Sequence, residues 1–356
     1  MASIKTRLKG TWLYAQYREY MIKRAEYALY LKEATRRFSE DKPSVGSLED
    51  YKKALSKYRV TYDEYMYRYD MWRLSEKERA AFVSQAEMEK VYRVMVKPEV
   101  KDLFCDKVRF LKKYRDFVSR KWVFVPEVSY QEFKNLVTSY DCIVKPIGGH
   151  SGAGIFKIEK SKTAQLPDDE LEEMFNQFRD EKRLVEECIF ACSEIEAFHP
   201  SSLNTIRVVT ISRGEDVRFI GSILRMGAHN SFVDNTHAGG VFAQINLETG
   251  IIESDGVDTD GNRYDRHPDT GIVFKGTQIP YWDKVKETCR KACVTVPNIC
   301  FAGWDICILP GGRIELIEGN YAPHFDGGMQ VPLKQGAKEK VKTALRELYG
   351  VKHLIR

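Results

Sequence analysis

Two apolar, β-branched runs, Gly303-Trp304-Asp305-Ile306-Cys307-Ile308 and Arg313-Ile314-Glu315-Leu316-Ile317-Glu318-Gly319-Asn320, flank Pro310-Gly311-Gly312. Runs of this kind around a Pro-Gly-Gly turn predict a β-hairpin. Alternation along a strand puts Glu318 and Asn320 on one face, and Asp305 on the partner strand can lie across from them. Two carboxylates and a carboxamide then converge. An all-oxygen donor set of that size suits a hard cation such as Mg²⁺, which fills its other positions with water and phosphate oxygens. The same spacing also fits an ordinary solvated hairpin face, so the rest of the chain has to decide.

Upstream, the apolar stretch Asp141-Cys142-Ile143-Val144-Lys145 reads as a buried strand ending in a lysine. It runs into Pro146-Ile147-Gly148-Gly149-His150-Ser151-Gly152-Ala153-Gly154, whose glycines let backbone N–H groups approach anionic oxygens closely. Ile155-Phe156-Lys157-Ile158 resumes the sheet as a hairpin partner. The order strand, glycine loop, strand excludes both the P-loop and the dinucleotide fold, which require a helix after the loop. With Lys107 as a second cation before it and the carboxylate hairpin after it, the loop reads as the phosphate cradle of a nucleotide site, with Gly149, Ser151 and Gly152 as its contacts. The strand Arg183-Leu184-Val185-Glu186-Glu187-Cys188-Ile189 offers backbone groups to an adenine edge. Glu186 and Glu187 are candidates for the base, and Glu194 and Glu196 for a ribose hydroxyl.

Asn204–Ile211 and Val217–Arg225 predict paired strands around Gly214, on which Arg207 and Arg225 can grip phosphate or carboxylate bidentately. Asp234-Asn235-Thr236-His237-Ala238-Gly239-Gly240 is a polar, glycine-ended loop of the kind that lines a site. His237 there fits a base, a substrate contact or a plain loop histidine equally well. His267-Pro268-Asp269-Thr270-Gly271 reads as a lid or substrate loop rather than core.

The first hundred residues are expected to be helical: one or two helices over 3–38, a second from a Ser47 cap to about Trp72, and a third from the Ser75/Glu78 capping box to about Val96. They hold 21 Lys and Arg against 15 Asp and Glu, so the net charge of +5 belongs to this part. The near-neutral remainder argues against a nucleic-acid channel over the later lobes. Tyrosines interleaved with basic residues in 1–40 predict either a packed amphipathic face or a surface touching an acidic partner or the anionic inner leaflet. No run is long enough to span a membrane and the start lacks a signal-peptide block, which predicts a cytoplasmic protein, with residues 1–40 able to reach the inner membrane surface or a biosynthetic complex. Cys188/Cys192 and Cys289/Cys293 stand at helical spacing without a zinc pattern, so the eight cysteines are expected to be reduced.

Taken in order, Lys107, the Lys145 strand with its glycine loop, Glu186–Ile189, Arg207, Arg225, Asp234-Asn235 and Asp305/Glu318/Asn320 resemble the ATP-grasp superfamily. Asn204-Thr205-Ile206-Arg207, Asp234-Asn235 with Gly239-Gly240, His267–Gly271 and Gly303-Trp304-Asp305-Ile306 resemble its sugar-transfer associated family, bacterial proteins connected with cell-surface polysaccharide synthesis. The similarity covers about residues 100–350. It implies an α+β fold in which two α+β lobes sandwich ATP, here as a helical region 1–100, a small lobe 101–185 and a large lobe 186–356. By resemblance, Lys107 and Lys145 would meet phosphates; Glu186, Glu187, Cys188 and Ile189 adenine; Asp305, Glu318 and Asn320 Mg²⁺; and Arg207 and Arg225, with Asn235 and His237 nearby, the reacting groups. The implied reaction joins a small-molecule carboxylate to an amine through an acyl phosphate. A kinase on the same lobes and a nucleotide-responsive scaffold are the rivals. Two departures stand out: the α/β domain that usually precedes the lobes is replaced by helices, and Gly303 occupies a place where many such ligases carry arginine.

Overall fold

The computed structural model describes residues 12–148, 154–228, 240–324 and 329–355, with side chains from residue 16 onward. Two antiparallel sheets organise them. The smaller has the order β1 (Trp122–Phe124), β4 (Arg183–Glu187), β2 (Cys142–Pro146), β3 (Phe156–Ile158). Helices Tyr130–Ser139 and Asp168–Asp180 lie over it, burying Phe133, Val137, Leu171 and Phe175 against Val144 and Val185.

The larger sheet runs β11 (Ile314–Asn320), β10 (Phe301–Ile308), β5 (Thr205–Arg213), β6 (Asp216–Met226), β7 (Val241–Gln244), β8 (Gly256–Val257), β9 (Arg263–Tyr264). Its hairpin turn needs glycine: Gly312 sits at φ +77°, and a Cβ there would meet the Tyr281 ring at 2.5 Å. One face of β5 and β10, with Val208, Trp304 and Ile306, packs under helix Trp282–Thr295 and against Phe110 and Tyr114. The Trp304 indole N–H donates to Thr210 Oγ1 at 3.1 Å, so the largest buried side chain is also satisfied.

The opposite face is covered by the N-terminal helices. Tyr51, Tyr65, Tyr69 and Met71 pack with Ile223, Phe242 and Val257, while Val83, Met88 and Val91 pack with Val209, Ile220 and helix Lys338–Tyr349. Gln330, fully buried, ties this layer down: its amide nitrogen donates to Val83 O (2.9 Å) and Tyr69 Oη (3.0 Å), and its oxygen accepts from Val83 N and Ala337 N (both 2.9 Å). The helical region is therefore the third layer of the large sheet.

The helices differ in detail from the sequence reading. Leu48–Tyr58 stops at Arg59 in the left-handed region, and a π-helical turn, Glu64–Arg68, follows. A second capping box, Ser84 with Glu87, splits the expected third helix into Glu76–Ala81 and Gln85–Met95. Pro98 opens a further helix, Pro98–Cys105, as suits a residue with no N–H to leave unpaired. Asp106 then caps Lys107–Lys113 by accepting from Val108 N and Arg109 N, both at 3.0 Å. In helix Trp12–Asp41, Tyr30, Leu31, Ala34 and Phe38 are packed, whereas Tyr17, Tyr20, Met21, Tyr27 and Leu29 are exposed. His267 is buried, not part of a lid: its Nε2 lies 2.9 Å from Gly227 O and its ring beside Phe274. All eight cysteines are free thiols, six of them buried. No helix among the described residues is long and apolar enough to cross a membrane.

Candidate functional site

The hairpin register brings the expected oxygens together. Asp305 pairs with Glu318 across β10 and β11, and Gly303 with Asn320. Between Asp305 and Ile306 the register slips, so that Ile306 faces Leu316 and Ile317 is the extra residue. Such a bulge bends the strand and re-aims the side chains beside it. Asn320 Nδ2 is buried and makes no hydrogen bond among the described residues. Among those residues no three His, Cys, Asp or Glu side chains form a metal cluster; the set here is two carboxylates and one amide.

On its other side Asp305 pairs with Arg207 of β5. Arg207 donates through Nε to Asp305 Oδ1 at 2.6 Å and through Nη2 to Oδ2 at 2.5 Å, and Arg225 Nη1 donates to Oδ2 at 2.8 Å. Burial alone would raise the Asp305 carboxyl, but the two guanidiniums outweigh it and hold it at about 2. Glu318 goes the other way. Its crowded surroundings and the neighbouring Asp305 charge raise it above the usual range, although 45% of the side chain is open to the cleft. Of the two carboxylates, Glu318 is thus the one more readily protonated.

The small sheet faces this edge with its own charges. Lys145 pairs with Glu186 on the adjoining strand, and Glu186 is also held by Arg120 through Nε at 3.1 Å and Nη2 at 2.9 Å. Arg120, 3% exposed, reaches into the large sheet as well, donating through Nη1 to Glu315 Oε1 (2.8 Å) and Leu316 O (2.8 Å) and through Nη2 to Ile317 O (3.2 Å). A buried chain, Glu315–Arg120–Glu186–Lys145, therefore joins the two sheets where they meet. Burial pushes Glu186 up, yet Arg120 and Lys145 bring it to about 2. Lys107, at the start of its capped helix, is lowered by burial while Glu318 and Glu186 act against that and Lys145 adds to it, so these four charges share one neighbourhood.

Of the residues expected at a site, Lys107, Lys145, Glu186, Arg207, Arg225, Asp305, Glu318 and Asn320 converge. The Glu186 carboxylate is spent on Arg120 and Lys145. Glu187 accepts from Lys121 N at 2.9 Å, and the Glu187 and Cys188 N–H groups donate to Lys121 O and Asp141 O, so these two backbone donors extend the sheet. Ile189 is half-buried at its end. Glu194 is exposed, accepting from Ser193 Oγ at 3.0 Å, and Glu196 is half-buried in the short helix Ser193–Glu196. Gly149, Ser151, Gly152, Asn235 and His237 lie outside the described residues. At Gly303 a Cβ would come within 2.8 Å of Pro323 Cβ, so Pro323 occupies the room an arginine would need. Arg120 and Glu315 were not singled out by the sequence; an Arg-Lys pair before a strand reads as surface charge.

A model of the sugar-transfer associated ATP-grasp family matches residues 97–344. No curated protein matches. Among solved structures the chain is similar to the ATP-grasp ligase PsnB complexed with minimal precursor, Mg and ADP (15% identity, 71% of this chain and 62% of that one, TM-score 0.42). It is also similar to N5-carboxyaminoimidazole synthase from Aspergillus clavatus with ADP and its ribonucleotide (12%, 76% and 58%, 0.44). A third is the N5-carboxyaminoimidazole synthetase from Staphylococcus aureus with ADP (14%, 65% and 52%, 0.38). The chain spans less than two thirds of the length of each. The family match covers well over half of the chain, and the chain belongs to the sugar-transfer associated ATP-grasp family.

Proposed function

We propose that the chain is an ATP-dependent, ADP-forming carboxylate–amine ligase acting on a small sugar-derived or polysaccharide-precursor substrate. The single observation that carries this is the meeting of two lysines from one lobe with Asp305, Glu318, Asn320 and two arginines from the other. Positioning and charge neutralisation dominate phosphoryl transfer, and these are the groups such a transfer needs.

In this reading Lys107 and Lys145 bind phosphate oxygens, and Glu186 holds the Lys145 ammonium in place. Glu318, Asp305 and Asn320 would hold Mg²⁺, which when bound supplies neutralising charge to the phosphates. Arg207 and Arg225 orient the substrate carboxylate. A carboxylate oxygen attacks the γ-phosphorus, the bond to the β-phosphate oxygen breaks, and ADP leaves an acyl phosphate. The amine nitrogen then attacks the acyl carbon, the C–O bond to phosphate breaks, and the nitrogen gives up a proton. Preorganised guanidiniums beside the carboxyl stabilise charge at both stages.

The experiment is ATP turnover with Mg²⁺ and hydroxylamine over pooled amino acids and sugar acids. ADP together with a hydroxamate supports the ligase. A phosphate ester without hydroxamate would establish a kinase instead.

A further inference from the structure

The segment 119–121, which leads into β1, is stitched to both sheets. On one side Ser119 N (2.8 Å), Ser119 Oγ (2.6 Å) and Arg120 N (3.2 Å) donate to the buried Glu315 carboxylate of β11. On the other, Lys121 N donates to Glu187 Oε2 at 2.9 Å and Glu187 N to Lys121 O at 2.8 Å. The Arg120 side chain fills the seam between them. Its Nε makes one hydrogen bond and each Nη two, so no N–H of the guanidinium is spare. We propose that Arg120 is a positioning residue of the nucleotide site: one guanidinium sets both the phosphate lysine Lys145 and the metal carboxylate Glu318, and so fixes the two halves of the site relative to each other. The proposal rests on the ligase reading above and adds a residue that acts in it only through others.

Toward the phosphates Arg120 acts through Glu186, whose two oxygens are divided. Oε1 accepts from Arg120 Nε at 3.1 Å and Nη2 at 2.9 Å, while Oε2 takes the Lys145 ammonium. Arg120 thus carries part of the charge of a buried carboxylate that would otherwise have Lys145 as its one cation. The Lys145 side chain keeps 19% of its surface open against 4% for Glu186, so the lysine is held by the pair and still reachable by an anionic oxygen.

Toward the metal it acts through the backbone of β11. That strand is the outer one of the large sheet, so the carbonyls on its free edge have no ladder partner. Arg120 supplies one: Nη1 donates to Leu316 O at 2.8 Å and Nη2 to Ile317 O at 3.2 Å. Successive carbonyls of a regular strand point to opposite edges; one fork takes both here because the strand is bulged. Ile317 is the extra residue of that bulge, and Glu318 follows it directly. The guanidinium therefore holds the irregularity that sets the direction of Glu318 beside Asp305. A lysine matches the charge but not the reach, since its donors sit on one atom while the arginine fork meets acceptors on two sheets at once.

The test is equilibrium binding of a non-hydrolysable ATP analogue to the full chain, with and without Mg²⁺, at a temperature where circular dichroism shows each protein folded. The proteins are the native chain, Arg120→Lys, Arg120→Met, Lys145→Met and the double variant Arg120→Lys/Lys145→Met, with two Arg120 variants so that a loss of fold in one leaves the other to decide. Thermal melts are recorded alongside, because a residue that only holds the fold lowers the melting temperature and leaves the affinity of the folded chain alone. The expected result is that Arg120→Lys weakens metal-free binding and also cuts the gain from Mg²⁺, each by about tenfold or more, with Arg120→Met at least as impaired. Lys145→Met should show the first loss and keep the Mg²⁺ gain, since it does not touch the bulge. The double variant should bind the metal-free analogue little worse than Lys145→Met, because Arg120 reaches the phosphates through that lysine. The proposal is overturned if the Arg120 variants melt lower but bind and respond to Mg²⁺ as the native chain does, if they lose only one of the two effects, or if the Arg120 and Lys145 losses add in full. Absence of analogue binding by the native chain would instead overturn the ligase reading, and the proposal with it.

Discussion

Replacing Arg120 by methionine removes the guanidinium that spans the two sheets while keeping an apolar stem of similar reach. Five contacts vanish: two to Glu186, one to Glu315 and two to the carbonyls of Leu316 and Ile317. Glu315 keeps Ser119 N at 2.8 Å and Ser119 Oγ at 2.6 Å, but Glu186 is left with Lys145 alone. Removing one partner of a buried ion pair costs about 3–5 kcal/mol. The pH dependence carries its own signature. Glu186 stands at about 2 in the folded chain, below its unfolded value. It therefore adds stability above the ordinary carboxylate range, and loses it as pH falls toward 2. The shift is worth on the order of 3 kcal/mol at neutral pH, shared between Arg120 and Lys145. In Arg120→Met the carboxyl protonates earlier, which relieves the uncompensated charge. Urea unfolding followed by tryptophan fluorescence should thus show a gap of about 3–5 kcal/mol at pH 7 that narrows by about 1–2 kcal/mol near pH 3. A gap below about 1 kcal/mol, or one indifferent to pH, would refute the buried chain.

Glu318→Gln should stabilise the nucleotide-free protein above the raised Glu318 value, because the raised carboxyl contributes stability only while protonated; the advantage should vanish below pH 4.5 in thermal melts at graded pH. In the native chain Mg²⁺–ATP affinity should fall as pH drops through that value, since proton and cation compete, whereas the glutamine variant should show no such step. Gly303→Ala should lower stability by about 1–3 kcal/mol, measured by thermal melting, because its Cβ meets Pro323 at 2.8 Å; an unchanged melting temperature would contradict the account of the missing arginine.

What could be read from the sequence was local. The hairpin, its turn glycines and the sharing of a face by Glu318 and Asn320 follow from alternation over a few residues, and the register agrees with them. The Ser75/Glu78 box is equally local. The Ser84/Glu87 box is no less explicit, but the apolar pattern through Phe82-Val83 continues across it and hides the break. His267 looked like a loop residue and the loop exists; its burial depends on Gly227 and Phe274, which no spacing reveals. The Arg120–Glu315 contact joins residues 195 apart, and an arginine beside a lysine carries no mark of burial. Most of all, tyrosines and methionines in the first hundred residues announce a packed face without saying against what. Only the structure shows that their partner is the second face of the large sheet.

The most direct test of the nucleotide site is equilibrium ATP binding with and without Mg²⁺ for the native chain, Lys145→Met and Glu318→Gln. The account predicts that Lys145→Met weakens ATP in both conditions, while Glu318→Gln binds metal-free ATP at least as well as the native chain and loses only the gain that Mg²⁺ confers. Equal response of the two variants to Mg²⁺, or native affinity in Lys145→Met, would contradict a phosphate site on one lobe facing a metal site on the other.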